Sequence, residues 1–238
     1  MCGRYALAGD FSEFTKEFDL EEVPGLLSRY NIAPSSGPGY EAPIITPQGL
    51  IFARFWYIPR WFDAPLHTLP RSFNARVETL ASKPFFRSAE PCLVPTSGFR
   101  EFPGNKSHQR AVCFYRPLET VAESDDDPPR AAFFAFAGVR SRWVEPDSSQ
   151  IIDTFAIITT RPSALVEKYH DRMPLIIDKE RYAAWLAPGA KLAELTSWAD
   201  ATSHAFPLAC YEAETFGNNT RVEGLECIKK KRAQLSLF

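Results

Sequence analysis

The amino terminus of the chain, MCGRYALAGD, places a cysteine directly after the initiator methionine. If Met1 is removed, Cys2 carries a free α-amine and a thiol on adjacent carbons, a pair that no internal cysteine offers. The thiol can attack an acyl carbon with the amine as base, or both groups can condense with an aldehyde to give a thiazolidine ring. An α-amine pKa of about 7.7–8.0 leaves part of the amine neutral near pH 7, and Gly3 lets a bulky substrate approach the backbone.

Two other residues have side chains suited to proton transfer. His170 lies in HDRMP, between a predicted helix and a predicted strand, and histidine titrates near neutral pH. Glu101 lies in SGFREF between Phe99 and Phe102, where apolar neighbours would raise the pKa of its carboxyl group. A lone histidine is more often structural, and strand alternation allows Glu101 to point outward equally well.

Polar and aromatic residues in two segments could contact a nucleic acid. Asn74 and Arg76 in FNARVET present an amide and a guanidinium to a phosphate, or alternatively form a helix cap and a surface ion pair. Trp56 and Trp61 in FWYIPRWF lie close to two arginines. This pattern fits a base-stacking platform, and it equally fits core packing.

Composition limits the class of protein. The chain has 238 residues, 45% of them hydrophobic, and a net charge of −2, which predicts one domain whose nucleic-acid partner would need a local basic patch. The five cysteines form no C-x-x-C pair and the four histidines have no metal-ligand spacing, so we expect no cofactor, no metal and no disulfide framework. No apolar run has the length of a membrane span, and the free thiols indicate the cytoplasm.

Strands predominate among the predicted elements, without regular βαβ alternation. The fold class is therefore α+β, a single domain with a mixed, mostly antiparallel sheet and helices inserted between the strands. We predict a helix over 10–19, two strands around a turn in 43–59, a helix capped by Asn74 in 72–82, a strand, turn and strand in 92–102, strands in 112–116, 131–139 and 153–160, a helix from Pro162 in RPSALVEKY, a strand in PLIID, and helices in KERYAAWLA and AKLAELTSWA.

Several segments in order resemble one family. They are MCGRYAL, RYNIAPS, FWYIPRWF, FNARVET, the FR at 86–87, CLVPTSGFREF, FAGV, IITT and HDRMP. Together they resemble the SOS response-associated peptidase (SRAP) family of abasic-site processing proteins that cross-link to DNA. The matches span about residues 2–177, and the rest of the chain resembles the family less clearly.

The resemblance implies the SRAP fold, an open-barrel-like sheet with flanking helices, and with it a function and a set of roles. Cys2 would trap the ring-opened aldehyde of an abasic site in single-stranded DNA as a thiazolidine, within the DNA damage and SOS response. Glu101 would transfer protons, and His170 would help to open the sugar hemiacetal. The implied contacts to the lesion or its flanking strand come from Asn74, Arg76, Arg4, Trp56, Trp61, Arg87 and Arg172. A self-processing peptidase and a strand-cleaving lyase activity stay open.

The resemblance also sets expectations for location and charge. A monomer without membrane attachment, in the cytoplasm at the nucleoid or replication fork, is the default. Seven arginines fall inside the matching segments or within two residues of them and would form a groove if they share one face: Arg4, Arg54, Arg60, Arg71, Arg76, Arg87 and Arg172.

The sequence departs from the usual family pattern at a few positions. Tyr57 follows Trp56 where the family usually has glycine. The usual G-W-[YF]-E-W is Gly98-Phe99-Arg100-Glu101-Phe102 here, and FAGV is followed by Arg140-Ser141-Arg142-Trp143 instead of L-W.

The carboxyl terminus carries a second short pattern. We predict a SRAP domain over 1–228 and a basic tail over 229–238, KKKRAQLSLF. The last five residues resemble the Q-L-x-L-F peptide that docks in bacterial sliding clamps, with Gln234, Leu235, Leu237 and Phe238 as the binding residues. The alternative is a tail strand that packs on the domain.

Two rival functions remain open. An N-terminal-nucleophile amidohydrolase would also begin M-C-G, but the G-H-T-R and N-G-x-x-Y-N segments of the glutamine amidotransferases are absent from the sequence. A non-catalytic single-strand-binding adaptor would keep its DNA affinity after Cys2→Ala and form no covalent product.

Overall fold

The computed structural model describes residues 2–21, 23, 25–35, 40–103, 111–118, 128–189, 191–214 and 219–231. The strands are β1 (Tyr5–Leu7), β2 (Arg29–Ile32), β3 (Glu41–Thr46), β4 (Gly49–Arg54), β5 (Asn74–Arg76), β6 (Glu90–Thr96), β7 (Gly98–Glu101), β8 (Val112–Pro117), β9 (Ala131–Ala132), β10 (Phe134–Val144), β11 (Ile151–Thr160), β12 (Met173–Pro174), β13 (Ile176–Ile177) and β14 (Ala209–Glu212). The α-helices are α1 (Phe11–Phe18), α2 (Val77–Leu80), α3 (Tyr182–Trp185) and α4 (Leu192–Ser203). Within these ranges, no helix is both long enough and apolar enough to cross a membrane.

Five strands close into a barrel. The pairing runs β3–β4–β11–β10–β6 and returns from β6 to β3. Every contact in this ring is antiparallel except the one between β4 and β11, where Arg54 lies beside Thr154 in parallel. Strands β5 and β12 add to β11, and β13 adds to β10. The expected α+β class with mostly antiparallel pairing is confirmed, and the ring is closed where an open barrel was expected.

A second, open sheet packs against the barrel. Its order is β14–β8–β7–β1–β2, with β9 paired to β8. Aromatic rings join the two layers: Tyr5 of β1 lies 5.7 Å from Phe55 and 6.0 Å from Phe136, and Phe99 of β7 lies 5.8 Å from Phe136. These edge-to-face contacts fix the open sheet on the barrel.

Local sequence signals are confirmed for several elements. Helix α1 begins after Asp10, whose carboxylate accepts a hydrogen bond from the Ser12 N–H at 2.9 Å, and its Phe14 and Phe18 are buried. The turn between β3 and β4, the strand pair β6 and β7, and the buried strand β11 also lie where the sequence predicts them.

Two predictions of local structure are wrong. Asn74 does not cap a helix, because it opens β5, which pairs in parallel with β11 from Asn74 opposite Ile157 to Arg76 opposite Thr159. The helix predicted in RPSALVEKY is only a 3₁₀ turn over Val166–Lys168. Since Thr160 and Met173 are partners in the β11–β12 pair, the chain between them must return to the strand end that it left.

The end of the described chain packs on the open sheet. Ala213, after β14, forms a bridge with Lys230, and the Lys231 N–H donates to the Glu212 carbonyl at 2.9 Å. We call residues 219–231 the C-terminal strap. The predicted clamp-binding residues Gln234, Leu235, Leu237 and Phe238 lie outside the described residues.

Candidate active site

The topology brings Cys2, Glu101, Asn74 and His170 to the interface between the two sheets. Cys2 precedes β1, and Glu101 ends the antiparallel neighbour β7, so that the start of β1 lies beside the end of β7. Asn74 and His170 come from the barrel side, because β5 and the β12 that follows His170 both pair with β11.

Cys2 and Glu101 form a buried acid–thiol pair. Each residue is 2% exposed, and the thiol and the carboxyl group share a hydrogen bond. Burial, reinforced by the Glu101 charge, raises the pKa of the Cys2 thiol well above its ordinary value. Burial also raises the pKa of Glu101. The thiol is therefore protonated at neutral pH, and the group placed to accept its proton is Glu101.

His170 lies beside the same carboxyl group. Its Nε2 lies 3.7 Å from Glu101 Oε2, and its side chain is 13% exposed. The Nδ1 atom accepts the Arg172 backbone N–H at 3.0 Å, so the proton of the neutral imidazole is assigned to Nε2. Asp171 Oδ1 lies 3.0 Å from the same Nδ1 atom. The arrangement can pass protons between the imidazole and Glu101.

Asn74 connects the barrel to the amino terminus. Its Nδ2 donates to the Cys2 carbonyl at 3.1 Å. Its Oδ1 is buried and has no hydrogen-bond partner among the described residues. The side chain thus holds Cys2 in place and offers an acceptor to a bound hydroxyl group.

Arg172 fixes the loop that carries His170. Its guanidinium makes two hydrogen bonds to Glu78, at 2.6 and 2.9 Å, and one to the Thr159 carbonyl at 2.7 Å. These bonds from Arg172 lower the pKa of Glu78. The Arg172 side chain, predicted as a DNA contact, is therefore engaged with protein groups, whereas Arg76 is exposed.

A cleft of about 640 Å³ adjoins this site. It is lined by aromatic and cationic side chains together with the site histidine, including Gly3, Arg4, Trp56, Arg71, Phe102 and His170. The Trp56 ring packs on Phe73 at 5.8 Å, and its indole N–H is buried without a hydrogen-bond partner among the described residues. Cys2 lies next to Gly3, so a molecule in the cleft would reach the amino terminus.

The structure brings only some of the predicted arginines to the cleft. Arg4 and Arg71 line it, while Arg60 pairs with Glu90 at 3.1 Å. Arg87 lies over the ring of Trp61, 5.6 Å from its centre, and neither residue lines the cleft. The expectation that all seven share one face is wrong for Arg54, which is buried in β4.

Sequence reasoning missed three residues beside the cleft, namely Asn31, Arg100 and Thr220. Arg100 and Thr220 line it, and Asn31 Oδ1 accepts hydrogen bonds from both Arg4 and Arg100. The one available signal was Arg100, which replaces an aromatic residue in the family pattern.

All five cysteines are free thiols. Among the described residues, no three His, Cys, Asp or Glu side chains lie together in a geometry that could hold a metal ion.

Comparison with known proteins identifies the family. The model of the SOS response associated peptidase (SRAP) family matches residues 1–219. This protein belongs to that family. The SRAP chain is 31% identical over 195 residues to the abasic site processing protein YoqW of Bacillus subtilis (strain 168), with 79% of this chain and 81% of YoqW covered. It is 25% identical over 237 residues to the abasic site processing protein HMCES of Gallus gallus, with 84% and 66% covered.

Solved structures share the fold of this SRAP protein. A crystal structure of a protein from Bacteroides thetaiotaomicron superposes with a TM-score of 0.74 at 21% identity and covers 98% of this chain and 100% of that chain. A second, from Bordetella bronchiseptica, has a TM-score of 0.63 at 19% identity and covers 90% of this chain and 100% of that chain.

Proposed function

We propose that this protein processes abasic sites in single-stranded DNA by forming a covalent thiazolidine between Cys2 and the ring-opened sugar aldehyde. The observation that carries the proposal is the buried pair of Cys2 and Glu101, flanked by His170 beside an aromatic, cationic cleft. The names of the relatives YoqW and HMCES, both abasic site processing proteins, support the substrate.

The proposed reaction consumes one aldehyde and releases one water. Removal of Met1 frees the Cys2 amine, whose nitrogen adds to the C1 aldehyde carbon to give a carbinolamine. A proton converts the hydroxyl group into leaving water, and an iminium remains. The Cys2 sulfur then adds to the same carbon as the thiol proton departs, so that one C–N and one C–S bond replace the C=O bond.

Glu101 serves two of these steps. In its protonated form, which burial favours, it donates the proton that turns the carbinolamine hydroxyl into water. The resulting carboxylate then accepts the proton of the Cys2 thiol, with which it shares a hydrogen bond. A raised carboxyl pKa suits both roles, because proton transfer is most effective when the pKa lies near the working pH.

His170 and Asn74 act on the sugar. An abasic sugar is mostly a closed hemiacetal, and opening it requires removal of the proton from the anomeric hydroxyl and protonation of the ring oxygen. The Nε2 atom of His170, 3.7 Å from Glu101, can move these protons in concert with the carboxyl group. The free Oδ1 of Asn74 would accept a sugar hydroxyl while its Nδ2 holds Cys2.

The cleft would hold the strand on either side of the lesion. Trp56 and Phe102 offer faces for unpaired bases, and Arg4 and Arg71 offer charge to phosphates. Arg76, Arg87 and Trp61 remain proposed DNA contacts outside the lining of this cleft.

The test is covalent capture of a single-stranded oligonucleotide with one abasic site, resolved on a denaturing gel with and without borohydride. Wild type should form an adduct that survives denaturation without reduction. Cys2→Ser keeps the amine and loses the sulfur, so it should give an adduct only when borohydride reduces the imine. Cys210→Ser, a half-buried cysteine outside the site, is the matched control and should behave as wild type.

A second variant tests the amine. An alanine inserted between Met1 and Cys2 keeps the thiol and moves the amine, so capture should be lost. Intact mass should show that the active wild type lacks Met1. Equal capture by the insertion variant and wild type would contradict thiazolidine formation, and DNA binding without any adduct in wild type would favour the adaptor function instead. Strand cleavage in the same gel would report a lyase activity.

The proposal also includes a role in the SOS response and a position at the replication fork. It further includes binding of the sliding clamp by Gln234–Phe238. Deletion of 234–238 should abolish binding to the bacterial sliding clamp and leave adduct formation intact, since these residues follow the domain. Unchanged clamp affinity would rule out that part alone.

A further inference from the structure

The C-terminal strap forms part of the cleft wall. Thr220 lines the cleft together with Trp56 and Arg71, although the family model matches only residues 1–219. Apart from Asn219, the strap is therefore a part of the site that the family match does not cover.

One amide holds the start of the strap as a defined turn. Asn31 Nδ2 donates to the carbonyls of Asn219 at 2.8 Å and Val222 at 2.6 Å. Within the turn, the Arg221 N–H donates to Asn219 Oδ1 at 3.0 Å, and the Val222 N–H donates to the Asn219 carbonyl at 3.2 Å. Both ends of the Asn219–Val222 turn are thus bound to the same side chain of β2.

The same Asn31 side chain ties the turn to the catalytic strands. Its Oδ1 accepts from Arg4 Nη1 at 2.8 Å and from Arg100 Nη2 at 2.7 Å. Arg100 is 2% exposed and also donates to the carbonyls of Tyr30 and Cys227. Burial, with Arg100 close by, lowers the pKa of Arg4 to about 10. The two guanidiniums lie near each other beside the cleft, which favours an anion there.

The outer side of the turn is also fixed. Glu223 accepts the Tyr30 backbone N–H and pairs with Arg29 at 3.6 Å. Between these attachments, Thr220 and Arg221 are exposed. The Arg221 guanidinium has no ion-pair partner within the described residues.

We propose that the Asn219–Val222 turn is a phosphodiester-binding site, in which the Thr220 hydroxyl and the Arg221 guanidinium donate hydrogen bonds to the strand next to the lesion. Asn31 is its positioning residue. This inference rests on the proposed function for its ligand and adds phosphate contacts to those proposed for Arg4 and Arg71 in the cleft. The aromatic lining from Trp56, Phe73 and Phe102 favours a nucleic-acid strand over an acidic peptide, because bases can stack there.

The experiment measures equilibrium binding of an undamaged single-stranded oligonucleotide over a range of salt concentrations, so that no covalent step contributes. Arg221→Ala should weaken binding about tenfold at low salt. It should also reduce the slope of log K against log salt by about 0.7, the value for one phosphate of a single strand. Arg221→Lys should keep most of the slope. Arg142→Ala, an exposed arginine on β10 outside the cleft lining, is the matched control and should match wild type.

The role of Asn31 is tested by a double-mutant cycle. Asn31→Asp keeps an oxygen for Arg4 and Arg100 but loses both N–H bonds to the turn. If Asn31 positions the turn, Arg221→Ala should have little further effect in the Asn31→Asp background. Full additivity would show that the Asn31→Asp change acts through its added charge alone and would overturn the positioning role.

The outcomes separate this inference from the proposed function. If wild type forms the abasic-site adduct and Arg221→Ala binds undamaged strands with wild-type affinity and slope, the phosphate site is wrong and the chemistry stands. If no adduct forms but Arg221→Ala weakens strand binding, the chemistry is wrong and the site stands. Reaction of free 2-deoxyribose with Cys2 should be equal in wild type and Arg221→Ala, because the turn touches only the strand.

Discussion

Replacing Glu101 by glutamine removes the proposed base beside the Cys2 thiol and preserves the shape of the buried side chain. An ordinary cysteine thiol has a pKa of 9.0, and burial raises that of Cys2. At pH 7, roughly 1% of even an unperturbed thiol is ionised, since the pH is about two units below the pKa. Glutamine takes away the carboxylate charge but leaves the burial. Ring closure in Glu101→Gln should therefore slow by at least about 100-fold, within the range of general base catalysis.

The pH dependence should change in a characteristic way. In wild type, protonated Glu101 donates first and the carboxylate that it leaves then accepts the thiol proton, so the rate of ring closure should not follow thiol ionisation and should fall once the pH exceeds the burial-raised pKa of Glu101. In Glu101→Gln the rate should continue to rise about tenfold per pH unit while thiolate accumulates. The α-amine titrates equally in both proteins, so the ratio of wild-type to variant rates should fall steadily as pH increases.

The assay is a single-turnover time course with protein in excess over the abasic oligonucleotide, quenched at intervals and resolved on a denaturing gel. Glu101→Asp keeps a carboxyl group one methylene shorter and should lie between the two. A rate ratio below about threefold at pH 7, or a ratio independent of pH, would refute the assignment of Glu101 as the base.

Three predictions concern stability. Because the folded-state pKa of Glu101 is raised by burial, wild type should lose stability as pH rises from the unfolded carboxyl value through the folded one, and Glu101→Gln should show no such loss in urea titrations. The Arg172 hydrogen bond lowers the pKa of Glu78, so Glu78→Gln should reduce the free energy of unfolding near pH 7. The loss should be at most about 1 kcal/mol, because half of the Glu78 side chain is exposed. That difference should vanish as pH falls through the lowered pKa. Gly138→Ala places a Cβ 2.7 Å from Cys92 Sγ and 2.8 Å from Val94 Cγ2 in the closed barrel, so the urea midpoint should fall by an amount equivalent to about 1–3 kcal/mol, and an unchanged midpoint would mean that the barrel repacks freely.

Elements with local signals could be predicted from the sequence. Helix α1 has both its cap, Asp10, and the spacing of Phe14 and Phe18 within a few residues. Asn74 was misplaced because its structure is set by parallel pairing with β11, about eighty positions away, and pairing at that distance leaves no local pattern. The segment VETLAS favours a helix, and helix α2 begins directly after Arg76, where the pairing of β5 with β11 ends.

The reactive groups could be named from residue chemistry, but their geometry could not. Residue chemistry made Cys2, Glu101 and His170 candidates with structural alternatives, and the resemblance to the SRAP family gave them their expected roles. The bond from Asn74 to the Cys2 carbonyl and the bond from Arg100 to Asn31 join residues 72 and 69 positions apart. The first contact follows from the packing of one sheet on the other, and the second from the pairing of β7 and β2 with β1 in the open sheet. For the same reason, the cleft wall formed by Thr220 had no signal in the sequence.

The division of the reactive groups between the two sheets has a consequence for biosynthesis. Cys2 is made first, while Asn74 and His170 join it only after the barrel strand β11 has formed. A nascent or partly unfolded chain would therefore carry Cys2 without Asn74 and His170, the groups that we propose hold the nucleophile and help to open the sugar. If the proposed function holds, rapid capture of abasic sites should appear only once the domain is complete, and incomplete molecules should react only at the slow rate of an unassisted aminothiol.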